Sequence, residues 1–321
     1  MWNIILVCAY DVIAYNIALG GVFKLPHFKA VKKAMMGEEP WSETIKRYVD
    51  DVFHTKFYRN TIVKKFRALY REEGKYYRFR DIKLPLLDDE MELELTGIYE
   101  DTFWSYLNRN NQYDEKIYDY CDKFINEGLY GLVNDKVNVT VKPGDIVIDA
   151  GSWIGDFAAY ASVAGGGAIY AFEPADKTFA LLQKTAELNP NIIPVKKGLS
   201  SKIESIPIFN MQGNTGGNSL VNHEADTNFE KSSIIEVTSV DEFVRENNLS
   251  RVDFIKADIE GFERNMLEGA QETLREFAPK LALCTYHLPD DPEVLEALIK
   301  KANSKYNVVQ KRKKLFASVP K

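Results

Sequence analysis

Asp145-Ile-Val-Ile-Asp-Ala-Gly-Ser-Trp-Ile-Gly-Asp156 is the stretch whose reading decides the fold. Pro143-Gly144, just before it, is a turn signal. Ile146, Val147 and Ile148 form a short apolar, β-branched run of the kind that buried parallel strands carry. Asp149-Ala-Gly-Ser-Trp-Ile-Gly155 then reads as a tight loop, and Phe157, Ala158, Ala159, Tyr160 and Ala161 open a helix. A strand, a glycine loop and a helix N-terminus make a nucleotide-binding corner. Glycine lets the backbone approach a ligand, and the first helical turn offers free N–H groups.

Three ligand classes use such corners. A phosphate loop needs Gly-Lys-Ser/Thr, which is absent. A dinucleotide loop wants G-x-G-x-x-G, but the middle glycine position holds Trp153, which would block a pyrophosphate. The remaining form, D-x-G-x-x-x-G, suits S-adenosylmethionine, whose amino-acid tail needs the close approach. A glycine turn without a ligand is the plain alternative. The next strand weighs against it. Ala168-Ile-Tyr-Ala-Phe172 is apolar and ends at Glu173-Pro174. An acid about 20 residues beyond the loop is where ribose hydroxyls are received.

The expected cofactor contacts follow. Asp149 and Asp156 face the amino-acid tail, and Gly151, Ser152, Trp153 and Gly155 line the loop. Glu173 takes both hydroxyls of the ribose. The adenine lies near Phe172, Pro174 and the run Gly198-Leu199-Ser200.

The chain has 321 residues, enough for two domains or one large α/β domain. Its 41 basic and 47 acidic side chains leave a formal charge of −6, with no long basic run before the C-terminus, which argues against a nucleic-acid binder. Cys8, Cys121 and Cys284 are far apart and read as reduced, buried cysteines of a cytoplasmic protein. Met1 to Phe23 is apolar but carries Asn3, Asp11 and Asn16, and it lacks a basic leader and a cleavage site. It reads as a buried helix ended by Gly20-Gly21 rather than a membrane span, with peripheral membrane contact as the alternative.

Residues 1–132 read as a mainly helical accessory or substrate domain, and 133–321 as the cofactor-binding domain. In the first part, Ile45, Val49, Val52, Phe53, Phe57, Ile62, Phe66 and Leu69 recur at near-helical spacing after Ser42, a plausible N-cap. The interleaved lysines and arginines are a solvated face. Tyr76 to Arg80 suggests a short strand, and helices are expected near 97–109 and 114–126. The aromatic residues Tyr99, Phe103, Trp104, Tyr106 and Tyr113 read as core, with a sugar platform as the sharper alternative.

From residue 146 the β/α alternation is regular. Strands are expected at 146–150, 168–172, 192–195, 252–258, 280–286, 306–310 and 314–318. Helices are expected at 154–164, 176–188, 240–247, 263–277 and 291–303. Residues 198–239 break the rhythm, with strands at 206–209 and 234–237 around a polar loop at 213–219. Seven strands, the early ones alternating with helices, give an α/β fold: a doubly wound, mostly parallel sheet with a late antiparallel edge.

Lys256, Asp258 and Glu260 stand at alternate positions and share one face if the strand continues through them. Glu263 falls in the first helical turn beyond, where acids are stabilised by the helix N-terminus. Asp258, at a strand's carboxyl end, is the better placed to meet a reacting centre and the cofactor.

These segments together carry a resemblance. D-A-G-S-W-I-G-D at 149–156, F-E-P at 172–174, V-D-F-I-K-A-D-I-E-G-F-E at 252–263 and the strand ending Tyr286-His287 resemble the FkbM family of S-adenosylmethionine-dependent methyltransferases. The likeness covers roughly 137–318, and K-x-D-x-E-G-x-E is its most specific part. It implies a class I, Rossmann-like methyltransferase fold and O-methylation of a sugar, glycan or natural-product hydroxyl. Such relatives are found in glycan and antibiotic biosynthesis. Trp153 stands where those relatives more often have a small polar residue.

The expected reaction is an in-line displacement in which the acceptor oxygen attacks the methyl group and S-adenosylhomocysteine leaves. An alcohol needs a base at neutral pH. His287 is the first candidate, because imidazole titrates in the right range. Asp258 is the second, with Lys256 holding it ionised, and Glu260 holds the acceptor hydroxyl. Asp258, Glu260, Glu263 and His287 would also suit a divalent metal ion, but their spacing in sequence assigns none. A cofactor-binding scaffold that docks a glycan-assembly partner is the reading from a different class, and the intact Asp258 and His287 argue against it.

Overall fold

The apolar runs assemble into one seven-stranded sheet. In the computed structural model, the described residues are 71–72, 76–79, 81–87, 130–211, 214–219, 229–311 and 313–320. The expected helices at 1–23, 45–69, 97–109 and 114–126, with their aromatic and basic residues, lie outside them. The chain divides into units at 1–68 and 69–321, and every described residue belongs to the second.

The sheet contains β6 (Ile146–Ala150), β7 (Ala168–Phe172), β8 (Ile192–Val195), β13 (Phe254–Ala257), β14 (Lys280–Cys284), β15 (Asn307–Lys311) and β16 (Lys314–Ser318). Their order is β15-β16-β14-β13-β6-β7-β8. β14, β13, β6, β7 and β8 are mutually parallel, and β16 and β15 close the edge antiparallel. From β6 the chain moves outward to β7 and β8, then returns to lay β13 on the other side of β6. The reversal opens a crevice at the carboxyl ends of β6 and β13, the position at which open α/β sheets bind ligands.

Side chains of a strand alternate between two apolar clusters, because successive Cβ atoms point to opposite faces. Val147, Phe254, Ala282 and Phe316 join one cluster with Phe157, Ala158 and Ala161 of α1 (Asp156–Val163) and Leu182 of α2 (Asp176–Leu188). Ile148, Ile255, Leu281 and Leu283 join the other, with Phe243 of α3 (Val240–Glu246), Met266 and Leu267 of α4 (Glu263–Glu268), Leu274 of α5 (Gln271–Glu276) and Ile299 of α6 (Asp291–Ala302). Burial on both faces explains why these strands read as continuous apolar runs.

Two expectations are corrected here. The single helix over 263–277 is two helices broken at Gly269-Ala270. A Cβ on Gly269 would lie 2.3 Å from the Ser200 carbonyl oxygen, so the chain passes too close for a side chain. The polar loop at 213–219 contains a strand. β11 (Asn214–Ser219) pairs antiparallel with β10 (Glu204–Met211), which pairs with β12 (Phe229–Thr238). β12 in turn runs parallel to β9 (Gly198–Leu199). Strand pairing needs backbone groups alone, and glycine-rich polar strands carry no apolar alternation by which to be seen.

α3 begins where Ser239 accepts a hydrogen bond from the Glu242 N–H at 3.1 Å. Ser239→Ala removes that cap, and urea unfolding is expected to show a loss of about 1 kcal/mol with unchanged slope.

Ahead of the sheet, β1 (Arg71–Glu72), β2 (Tyr76–Phe79) and β3 (Ile82–Pro85) form an antiparallel meander that includes the expected strand at 76. Leu84 is buried in the cluster of α1 and α2, and the Asn189 side chain donates to the Lys83 carbonyl oxygen at 3.1 Å. The expected boundary at 132/133 falls inside β4 (Leu132–Val133), which pairs with β5 (Asn138–Val139). No helix among the described residues is long and apolar enough to cross a membrane.

Candidate active site

Parallel pairing sets Lys256 of β13 directly beside Asp149 of β6. Both are buried, and Nζ lies 3.0 Å from Asp149 Oδ1. The ammonium also donates to the carbonyl oxygens of Gly151 at 2.6 Å and Ala150 at 3.3 Å. Burial works against its charge, but Asp149, Asp258 and Asp156 hold it protonated, and its pKa is raised. Lys256 is therefore a clamp on the glycine loop as well as a countercharge for Asp258.

The two loop glycines have a role the sequence did not show. Gly151 is left-handed (φ +72°), and a Cβ there would lie 1.9 Å from the Asp258 carbonyl oxygen. Gly155 (φ +87°) would place one 2.7 Å from the Leu182 side chain. Both are demanded by packing of the chain against itself, in addition to any ligand. Trp153, also at positive φ, is buried in the same cluster as Phe157. Ser152 donates its hydroxyl to the Asp149 carbonyl oxygen at 2.9 Å and is fully buried.

Beyond the ion pair with Lys256, no aligned donor reaches the Asp149 carboxylate among the described residues, and the Ser200 hydroxyl is buried without a partner there. A buried hydroxyl without a partner costs about 1–3 kcal/mol. Asp149 in Ile146–Ala150 and Ser200 just beyond Gly198–Leu199 are the groups expected to meet the cationic tail and the heterocycle, so the donor set fits the cofactor read from the sequence.

Glu173 ends β7 and is buried. Its Oε1 accepts from the Ala175 N–H at 2.9 Å and the Thr178 hydroxyl at 2.8 Å, and its Oε2 from the Trp153 N–H at 3.0 Å. Burial pushes its pKa up to about 7 despite these donors. The carboxylate was expected to serve both ribose hydroxyls. With three protein donors already in place, Oε2 alone retains a free acceptor direction. Phe172 and Leu199, expected beside the adenine, are packed in the second apolar cluster and expose almost no side-chain surface. Pro174 and the backbone of Gly198 remain at that end.

Asp258 lies just beyond β13, its N–H bonded to the Ala150 carbonyl oxygen at 3.1 Å. Its two oxygens accept from the hydroxyls of Tyr130 at 2.7 Å and Tyr286 at 3.0 Å. Burial would raise its pKa, but Lys256, Lys314, His287 and the Tyr130 hydroxyl hold it down at about 2. The strand does not continue through Glu260, as the alternation had suggested. Glu260 and Gly261 are both left-handed (φ +52° and +99°) and turn the chain into α4. Glu263 caps that turn, accepting from the N–H groups of Ile259 and Gly261.

His287 follows β14, with its ring 8% exposed. Nδ1 is 3.1 Å from Glu263 Oε1, and Nε2 is 3.3 Å from Glu260 Oε2 and 3.7 Å from Asp258 Oδ1. Burial disfavours the imidazolium, but Glu260 and Glu263 outweigh it and push the pKa up to about 10. Carboxylates thus face both ring nitrogens of His287. Burial raises the pKa of Glu260 above the ordinary carboxylate value, although His287 works against the rise.

The structure thus brings Asp258, Glu260, Glu263 and His287 together, and sets Lys256 and Asp149 behind them. Sequence reasoning missed Tyr130, which reaches Asp258 across 128 positions and belongs to no motif. Tyr286 stood beside His287 in the quoted segment, but its hydroxyl contact was not foreseen.

A family model described as the Methyltransferase FkbM domain matches residues 149–306. The hexuronic acid methyltransferase AglP of Haloferax volcanii is 29% identical over 159 residues, which cover 49% of this chain and 62% of that protein. The methyltransferase sdnD of Sordaria araneosa is 26% identical, with 51% of this chain and 74% of that protein covered. Among solved structures, the methyltransferase FkbM of Methylobacillus flagellatus aligns over 72% of this chain and 62% of its own, with 17% identity and a TM-score of 0.44. The chain spans under two thirds of the length of AglP.

Proposed function

This chain belongs to the FkbM methyltransferases through residues 149–306, and from that premise we propose that it transfers the methyl group of S-adenosylmethionine to a hydroxyl oxygen of a sugar, glycan or natural product. The observation that carries this reading is the grouping of Asp149, Glu173 and Asp258 around the carboxyl ends of β6, β7 and β13. The names of AglP and sdnD support an acceptor among sugar acids or natural products.

When bound, S-adenosylmethionine supplies an electrophilic methyl group on a sulfur that leaves as a thioether. In this reading Asp149 receives the cationic end of the amino-acid tail, and Glu173 Oε2 takes one ribose hydroxyl. Lys256 holds the glycine loop in place for both. Asp258, fixed by Tyr130 and Tyr286, orients the acceptor hydroxyl. Glu260 takes its proton as the oxygen–carbon bond forms. Alignment of donor and acceptor supplies much of the rate, since the methyl group is already reactive.

Calorimetric titration with S-adenosylhomocysteine tests the donor half. Wild type should bind, and Glu173→Gln should bind about 10-fold more weakly, the loss of one charge-assisted hydrogen bond. No heat with the folded wild type would overturn the reading. The pH dependence provides a second check. Glu173 has its pKa raised to about 7, so it stabilises the unliganded fold below the ordinary carboxyl range and loses that contribution as pH rises through 7. A ribose hydroxyl is best received by the ionised form. Affinity should therefore rise between pH 6 and 8 in wild type and stay flat in Glu173→Gln.

A further inference from the structure

We propose that Asp258, Glu260 and His287 form a binding site for a divalent first-row metal ion, with Glu263 supporting His287 from behind. The cation would sit at the acceptor end of the crevice; only this role rests on the hydroxyl-acceptor reading above, not the site itself.

Spacing in sequence could not assign such a site, but the geometry can. Nε2 of His287, Oδ1 of Asp258 and Oε2 of Glu260 converge, with Nε2 at 3.7 Å and 3.3 Å from the two oxygens. Ligand atoms bound to one cation at about 2.1 Å stand roughly 3.0–3.5 Å apart, so a small closure brings all three into a single coordination shell. The ring of His287 is 8% exposed, and neither of its nitrogens makes an aligned hydrogen bond among the described residues. A buried imidazole converging with two partly exposed carboxylates is a donor set that suits such a cation.

The opposite side of the ring strengthens the assignment. A metal-binding histidine typically gives its other nitrogen to a carboxylate, which fixes ring orientation and tautomer. Here Glu263 Oε1 lies 3.1 Å from Nδ1. Glu263 is itself fully buried and pinned by two backbone N–H groups. The second grouping around the same ring, Glu263 with Asp291, is a different case. Asp291 is already satisfied by the Leu288 N–H and by Arg264. Asp258 and Glu260, by contrast, are partly exposed and converge on Nε2.

Backbone conformation agrees. Glu260 is a non-glycine residue at φ +52°, followed by Gly261 at +99°. A left-handed non-glycine residue persists only where the surroundings enforce it, often at functional positions. The side chains of Asp258 and Glu260 are 23% and 26% exposed, so an ion has a way in while His287 closes the rear. Two carboxylates with one imidazole suit Mn2+ or Zn2+ better than a soft thiophilic ion. Such a cation would hold the acceptor oxygen and lower its affinity for its proton.

The test uses the full chain, stripped with a chelator and titrated with Mn2+ alone, followed by electron paramagnetic resonance. One bound Mn2+ per chain is expected, with electron spin echo modulation from a directly bound nitrogen. His287→Gln should abolish the nitrogen modulation, and Glu260→Gln should weaken binding at least about 10-fold. Glu263→Gln should weaken it by about 10–100-fold without removing the nitrogen signal. If the His287 variant melts early, the partly exposed Glu260 position carries the test by itself. No Mn2+ or Zn2+ bound at millimolar concentration, bound Mn2+ without a nitrogen signal, or affinity unchanged in Glu260→Gln would each overturn the site. Binding of S-adenosylhomocysteine is read separately. A chain that binds it but no cation overturns this inference and leaves the methyl-transfer reading standing; a chain that binds the cation but not the nucleoside does the reverse.

Discussion

Lys256→Met is expected to destabilise the protein by about 3–5 kcal/mol and to abolish binding of S-adenosylhomocysteine. Removing one partner of a buried ion pair leaves the other charge unpaired, which is the costly half of such an exchange. Asp149 would lose the ammonium 3.0 Å from its Oδ1 in a wholly buried setting. Ala150 and Gly151 would lose a donor on their carbonyl oxygens at the same time. Methionine keeps the length and apolar stem of the side chain, so the cavity contribution stays small. Urea unfolding measures the first effect, and calorimetry on the folded fraction at low temperature measures the second. A variant as stable as wild type would show that the ammonium contributes little net energy to the fold.

Gly151→Ala is expected to be at least as damaging. The added Cβ would lie 1.9 Å from the Asp258 carbonyl oxygen and 2.9 Å from its carbon. These are backbone atoms held by the β6–β13 pairing, so they cannot move aside as a flexible side chain could. The strands would have to part where the crevice is formed, and little folded protein should be recovered. Gly144→Ala is the control. It shares the left-handed backbone (φ +82°) but has nothing within 4 Å of the new Cβ. It should cost only about 1–2 kcal/mol, the conformational strain by itself. Comparable melting temperatures for the two variants would contradict the close-packing account.

Most of the sheet was legible because its strands are buried on both faces and interrupted by glycine or proline. Ile146–Ala150, Ala168–Phe172 and Ile192–Val195 were all read within their observed limits. β11 was not, since Asn214–Ser219 contains no apolar residue before its pairing is known. The break at Gly269 was hidden for a related reason. Its cause is the Ser200 backbone, which is distant in sequence. At the site, chemistry-bearing residue types identified Asp149, Glu173, Asp258, Glu260 and His287. What each one does depends on partners supplied by other elements. Glu173 looked like a free acceptor and is largely satisfied by its own loop. His287 looked like a base and is surrounded by carboxylates. Tyr130 carried no signal at all, because a tyrosine at the end of an unpatterned segment is indistinguishable from any other.

Lys256 and Asp258 are two positions apart, one reaching back to the glycine loop and the other forward to Tyr130 and Tyr286. The donor and acceptor halves proposed above are therefore tied through a single strand end, and a change to either residue disturbs both. This limits how such an enzyme diversifies. In the proposed reading, new acceptor preferences are acquired around Tyr130 and Tyr286, while the strand end is inherited intact. The same division of labour marks out where redesign for a different acceptor can begin without dismantling the donor pocket.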